Sequence, residues 1–325
     1  MSSSSFPTTQ KAPSSASIWT ALIAIYIVWG STYLAIRFAV ETMPPFLAAG
    51  TRFLVAGSVL YAFQRLRGDK APIRVEWRSA AIVGLFLLVG GNGGLMWAEQ
   101  RVASGIASLM IASVPLWIAI LDTVRPGGKR PGRWVILGVL AGFAGIIILI
   151  GPAQLIGFDN QVDLLGAAVL LLAAFSWAVG SLYNRGARLP ASPLLGTGME
   201  MLIGGLGLFI LGTISGEWGQ LAPAAFSTRS IVGLIFLIVF GSWVGFASYT
   251  WLLRVAPTML VSTYAYINPL VAIFLGSLLA GEELTPRVLI AAVIILSSVA
   301  MITLTQPAIP KSASVEAAPL SSGDD

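Results

Sequence analysis

Two eight-residue stretches stand far apart in the chain. Pro45-Phe46-Leu47-Ala48-Ala49-Gly50-Thr51-Arg52 and Pro193-Leu194-Leu195-Gly196-Thr197-Gly198-Met199-Glu200 each open on proline, run through small and apolar residues, and end on an ionisable side chain. Other pairs accompany them in the same order. Gly30-Ser31-Thr32-Tyr33 matches Gly180-Ser181-Leu182-Tyr183, Val114-Pro115-Leu116 matches Asn268-Pro269-Leu270, and Pro131 matches Pro286. The offsets drift only from about 148 to 155 residues, so the chain is an internal repeat.

What repeats is apolar. Of 325 residues, 56% are hydrophobic and 10% charged, and the mean hydropathy is +0.86. A soluble domain carries roughly 25% charged residues, so polar surface is too scarce here to cover a water-exposed body. Apolar stretches lie near 18–38, 45–63, 79–98, 103–123, 133–151, 164–184, 194–214, 230–252, 258–280 and 287–305. Each is close to the roughly 20 residues needed to cross a bilayer. The expected fold class is therefore an all-α membrane protein of ten transmembrane helices in two five-helix repeats. Five is odd, so the second repeat must enter the membrane inverted relative to the first, an arrangement typical of transporters.

The expected organisation is a disordered tail over 1–17, a first repeat over 18–151, a second over 164–305 and a disordered tail over 306–325. The first stretch is too long for a signal-peptide core and is read as a retained helix. With the N-terminus in the cytoplasm, 14 Lys and Arg fall on the cytoplasmic side and four on the other, namely Arg37, Arg101, Arg229 and Arg287. That bias obeys the positive-inside rule and predicts both termini inside.

Composition also excludes chemistry. The chain has neither Cys nor His. Disulfides, Cys or His metal and haem ligation, and Cys–His or Ser–His catalysis all fall away, and no metal site or cofactor is expected. The net charge of +5 sits in short loops rather than on a continuous basic face, so nucleic acid is not an expected partner. Gly90-Gly91-Asn92-Gly93-Gly94 lies inside an apolar stretch without the Lys and Ser/Thr of a phosphate loop, and reads as close helix packing or a hinge. Gly138 and Gly142 form a GxxxG that either packs within the bundle or pairs subunits, so a homodimer stays open.

With these residues in hand, the chain resembles the EamA family of the drug/metabolite transporter superfamily, whose bacterial inner-membrane exporters it is most similar to. The likeness rests on Tyr26 to Tyr33, Arg52-Phe53, Ser104-Gly105-Ile106-Ala107, Ser176-Trp177-Ala178, and above all Ser262 to Ala272 followed by Gly281-Glu282. It covers about residues 18 to 305. It implies a central cavity lined by helices 1–4 and 6–9, with helices 5 and 10 as outer braces. It also implies alternating access, export of small metabolites across the inner membrane, and no enzymatic activity. The competing readings are a membrane-embedded enzyme and a structural or assembly protein.

Ionisable groups inside a span are costly and therefore functional candidates. Arg52 and Glu200 each lie about 11 Å in from opposite faces at 1.5 Å per residue. Across a core of about 30 Å they would differ by about 8 Å in depth, close enough for a direct or substrate-bridged pair. A structural salt bridge is the competing account. Glu99, at the outer end of the third stretch, either guards the outer mouth or pairs with Arg101. Arg37 either touches substrate or snorkels to the interface. A proton is a candidate coupling ion through Glu200 or Glu99.

Trp29, Tyr33, Trp177 and Tyr264 offer aromatic faces suited to amphipathic or cationic substrates, with the interfacial belt or plain packing as the alternative. Asn92 and Asn268 are deep amides that must face protein, water or substrate. Pro115 and Pro269 each free the carbonyl four residues earlier and are expected kink or gating points. The expected partners are a small-molecule substrate and the lipid bilayer.

Overall fold

In the computed structural model, residues 14–125, 131–151 and 162–305 are described, and they are helical almost throughout, with no strand among them. The first repeat contributes α1 (Ser15–Ala39), α2 (Pro45–Leu66), α3 (Arg74–Ala98), α4 (Ser104–Val124) and α5 (Arg133–Ile150). The second contributes α6 (Leu164–Asn184), α7 (Pro193–Ile214), α8 (Thr228–Leu253), α9 (Tyr264–Ala280) and α10 (Pro286–Thr305). Among the described residues, nine of these are long and apolar enough to cross a membrane, and α9 is a shorter apolar helix. The expected tails at 1–17 and 306–325 lie outside the described residues except for 14–17, where Ser14 already caps α1 by accepting from Ser17 N at 3.2 Å.

Packing follows the repeat. The helix α2 packs on its mate α7, α5 on its mate α10, and α4 on its mate α9. The contact of α1 with α8 is mirrored by α6 with α3, and that of α1 with α9 by α6 with α4. Most contacts exchange in this way, as a twofold between inverted repeats requires, whereas those of α1 with α4 and of α4 with α10 have no mate of similar extent.

Small residues set the closest approach. Lipid tails are as apolar as leucine, so helices associate in membranes through tight backbone contact rather than hydrophobic burial. Gly57 of α2 faces Gly198 of α7, and Gly50 faces Gly205. A Cβ on Gly57 would sit 2.8 Å from Leu202 N, and one on Gly205 would sit 2.8 Å from Leu54 N, so neither has room for a side chain. The Gly138/Gly142 motif packs inside the bundle: a Cβ on Gly142 would lie 2.7 Å from Ser298 Oγ of α10.

Several spans depart from regular α-helix. The helix α3 widens to π-helix over Leu85–Gly93, and its mate α8 does so over Leu237–Val244. The helix α4 breaks at Ala112 and Ser113, immediately before Val114-Pro115. Its mate behaves differently. The expected stretch 258–280 breaks at Ser262 and Thr263, and Pro269 lies inside the continuous helix Tyr264–Ala280. A proline near a helix start frees a carbonyl in the first turn and disturbs little, which fits the unbroken path through Pro269.

Candidate functional site

Wide turns release backbone carbonyls from the regular ladder, and side chains claim them. Trp29 of α1 reaches the π-helical stretch of α8 and donates Nε1–H to Gly241 O at 3.2 Å. Beside it, Arg52 of α2 donates from Nε to Ser242 Oγ at 3.1 Å, and Ser242 Oγ donates back to Leu237 O at 3.1 Å. Trp243 bridges to α2 through Nε1–H to Ala56 O at 3.2 Å. The same device operates in the other half, where Ser176 of α6 donates to Phe86 O of α3 at 2.7 Å and Asn92 Nδ2 donates to Leu87 O at 3.4 Å.

Trp29 is the hub of an aromatic cluster. Its ring lies 5.4 Å from Phe246, 5.1 Å from Tyr249 and 5.2 Å from Tyr264, centroid to centroid. Tyr249 and Tyr264 meet edge-on at 5.7 Å. The break before α9 positions this cluster: Thr263 is hydrogen-bonded to Tyr26 of α1 and donates to Leu260 O at 2.6 Å, fixing where Tyr264 begins its helix. Asn268 is buried against α1, where a Cβ on Gly30 would lie 3.1 Å from the Asn268 carbonyl.

Arg52 is 4% exposed, its guanidinium lies 4.7 Å above the Phe53 ring, and its Nη1 has no hydrogen-bond partner. Its expected partner is elsewhere. Glu200 is half-buried on α7 with its backbone against Gly84 of α3, and no ion pair joins it to Arg52 among the described residues. Trp177 likewise packs against α3, at Gly91, so Asn92, Trp177 and Glu200 belong to the α3–α6–α7 side. Trp29, Arg52, Tyr264 and Asn268 belong to the α1–α2–α8–α9 side. Tyr33 is half-buried in the main apolar core. Sequence reasoning missed Ser242 and Phe246. A serine five residues after a carbonyl carries no signal until the wide turn of α8 is known.

At the C-terminal end of α1, Arg37 donates to the backbone carbonyl of Glu99. The Glu99 side chain is fully buried and both its carboxylate oxygens lack a partner. Arg101 is engaged with Asp163 at 3.7 Å and stacks over Trp97 at 4.8 Å. Glu99 lies one residue beyond α3. Burial first, and the nearby Glu282 second, push its carboxyl well above the usual range, against the opposing influence of Arg37.

Two loop carboxylates from the second half close helix ends of the first. Glu217 accepts from Phe46 N at 3.1 Å and Leu47 N at 2.8 Å. Glu282 accepts from Ser104 N at 2.7 Å and Gly105 N at 2.9 Å. Pro44 and Ala103, the residues that open α2 and α4, offer no capping side chain, so these carboxylates satisfy the orphaned donors. They also favour the positive helix ends.

The EamA-like transporter family matches residues 16–151 and 164–304 of this chain, once for each half. The chain belongs to the EamA-like transporter family. Among its EamA relatives, the inner membrane transporter YedA of Escherichia coli K12, itself described as uncharacterized, is 39% identical over 88% of this chain and 90% of YedA. The chloroplastic WAT1-related protein At3g02690 of Arabidopsis thaliana is 28% identical over 89% of this chain and 70% of that protein. A solved crystal structure superposes with a TM-score of 0.59 at 21% identity, covering 90% of this chain and 98% of the other, and shows the shared fold. The protein is thus a membrane transporter rather than an enzyme.

Proposed function

We propose that this EamA protein is a secondary carrier of the inner membrane that exports small amphipathic metabolites, amino acids among them, by alternating access. The substrate meets Arg52 and the Trp29, Tyr249 and Tyr264 rings. Asn268 flanks that site, Asn92, Trp177 and Glu200 supply the opposite wall, and Tyr33 lies beyond them. The observation that carries this reading is the unpartnered Nη1 of Arg52, a buried guanidinium nitrogen. Leaving a buried charged donor unsatisfied is costly, and a carboxylate would satisfy it with a charge-assisted bond. The neighbouring aromatic faces suit the apolar or ammonium part of the same molecule. Pro115 and Pro269 are the proposed gating points, Glu99 guards the outer mouth, and a proton is the proposed coupling ion.

The deciding experiment is counterflow uptake into proteoliposomes preloaded with amino acids and small amphipathic metabolites. The native chain should exchange one substrate class. Arg52→Gln and Trp29→Ala should each lower that exchange by about tenfold or more, the equivalent of about 1.4 kcal/mol, while remaining monodisperse. Normal exchange by both folded variants would move the site away from this cluster. Both termini are proposed to be cytoplasmic. Because the chain has no cysteine, single cysteines placed at Arg67 and Ser215 can be labelled without background. An impermeant maleimide added outside spheroplasts should label the Ser215 position and spare the Arg67 position.

A further inference from the structure

Four arginines line one cleft at the end of the bundle where α3 begins and α4 and α6 end. Arg78, Arg125, Arg185 and Arg188 line it together with Val75 and Tyr183, around a volume of about 560 Å³. Among the described residues no carboxylate lines the cleft. Arg125 has a local counter-ion, Asp122, at 2.8 Å. The remaining three form no ion pair among the described residues.

The positive-inside bias accounts for basic residues in these loops. It does not require that arginines from three separate elements share one concave surface. Arginine presents a planar fork that matches phosphate bidentately, and like charges gathered in one cleft are most stable with an anion between them. Val75 and Tyr183 are exposed apolar walls of the same cleft, beside the membrane-facing ends of three helices. Basic pockets between helices at a membrane face suit anionic headgroups.

We infer that this cleft is a binding site for a phosphate-class anion, with the phosphodiester headgroup of an anionic phospholipid as its occupant and a soluble phosphate as the other source of the same chemistry. The site is distinct from the Trp29–Arg52 cluster and its test does not depend on transport.

The full chain, purified in a neutral detergent at fixed ionic strength, would be titrated with short-chain phosphatidylglycerol, short-chain phosphatidylcholine and inorganic phosphate, and its unfolding temperature followed. A ligand that binds only the folded state raises that temperature. Phosphatidylglycerol should stabilise by several degrees more than phosphatidylcholine. The double variant R185Q/R188Q should weaken phosphatidylglycerol binding by about tenfold or more. R67Q, which removes an arginine at the same end but outside the cleft, should leave it unchanged. If the double variant fails to fold, R188K, which keeps the charge but loses the fork, replaces it and should give an intermediate loss. Equal stabilisation by phosphate alone, with the same dependence on Arg185 and Arg188, assigns the site to a soluble anion. Equal shifts with both lipids and none with phosphate would overturn the site. So would an equal loss from R67Q, since binding would then follow diffuse surface charge.

Discussion

Where α2 crosses α7, the two halves of the chain contribute equivalent residues. Gly50 and Gly57 on one side meet Gly205 and Gly198 on the other, each glycine opposite the repeat mate of the other glycine on its own helix. Around Trp29 the equivalence is gone. The positions that correspond to Trp29, Phe246, Tyr249 and Tyr264 are Val179, Gly94, Trp97 and Met110, and Arg52 corresponds to Glu200. The crossing is a scaffold, and a scaffold built twice is served by the same small residues twice. The aromatic cluster is the proposed contact for a substrate of one shape and one charge, and nothing about the scaffold demands a second copy.

Four substitutions probe that contrast. The largest effect is expected at the crossing. Gly57→Leu forces a side chain against Leu202 N and Met201 Cβ, each 2.8 Å from the site of a new Cβ, and backbone cannot yield as a flexible side chain does. Overpacking typically costs about 1–3 kcal/mol and more when backbone must move, so size-exclusion chromatography should show little or no monodisperse protein. Ser242→Ala comes next. It removes the acceptor of Arg52 Nε, a bond to a charged group worth about 1.5–3 kcal/mol. Exchange should fall by about tenfold with a lower unfolding temperature. Unchanged exchange would separate Arg52's anchoring from its proposed contact with substrate.

Glu99→Gln is a smaller and pH-dependent change, again at a position where the halves differ, since Trp251 is the mate of Glu99. Burial and Glu282 keep the folded carboxyl protonated well above the usual range, whereas the unfolded one ionises near about pH 4.3. The folded state therefore binds the extra proton. Stability is fully present below the unfolded pKa and declines as pH rises toward the raised folded value. Unfolding temperatures measured from about pH 5 to 8 should decline in the native chain and decline less in Glu99→Gln, with the variant the more stable at the alkaline end. The smallest effect belongs to Val179→Ala, the mate of Trp29→Ala. Exchange should stay within about twofold of native, because the loss of two methyl groups costs about 1–2 kcal/mol of packing and touches no proposed substrate contact. A loss matching that of Trp29→Ala would restore the equivalence of the halves and sink the one-sided site.

The sequence made the ten spans and their inversion legible because both depend on local composition and on order along the chain. The match of Pro45–Arg52 with Pro193–Glu200 is visible by eye, and α2 and α7 do pack together. Helix irregularities were less accessible. The glycines at 90–94 pointed to a special packing site in α3, yet the wide turn of α8 at Leu237–Val244 carries no comparable cluster. The proline rule located the break in α4 but not the one in α9, which Tyr26 and Thr263 help to define across two helices. Contacts between helices escaped almost entirely. Nothing near Arg52 in sequence names Ser242, and nothing near Glu217 says that it ends on the backbone of Phe46 and Leu47. Those pairings depend on the rotation of one helix against another, which apolar composition leaves open because lipid-facing and buried positions use the same residues.

The carboxylates of Glu217 and Glu282 bear on the tempo of the proposed carrier. Each is rooted in a loop of the second half and holds two backbone N–H groups of the first. Any rearrangement that parts those loops from α2 and α4 must break charge-assisted bonds worth about 1.5–3 kcal/mol apiece before water can replace them. Every 1.4 kcal/mol of that cost left uncompensated at the barrier slows the step by about tenfold. In the proposed alternating access, the two clasps would act as an escapement, setting how often that end of the protein can release, whatever the cargo.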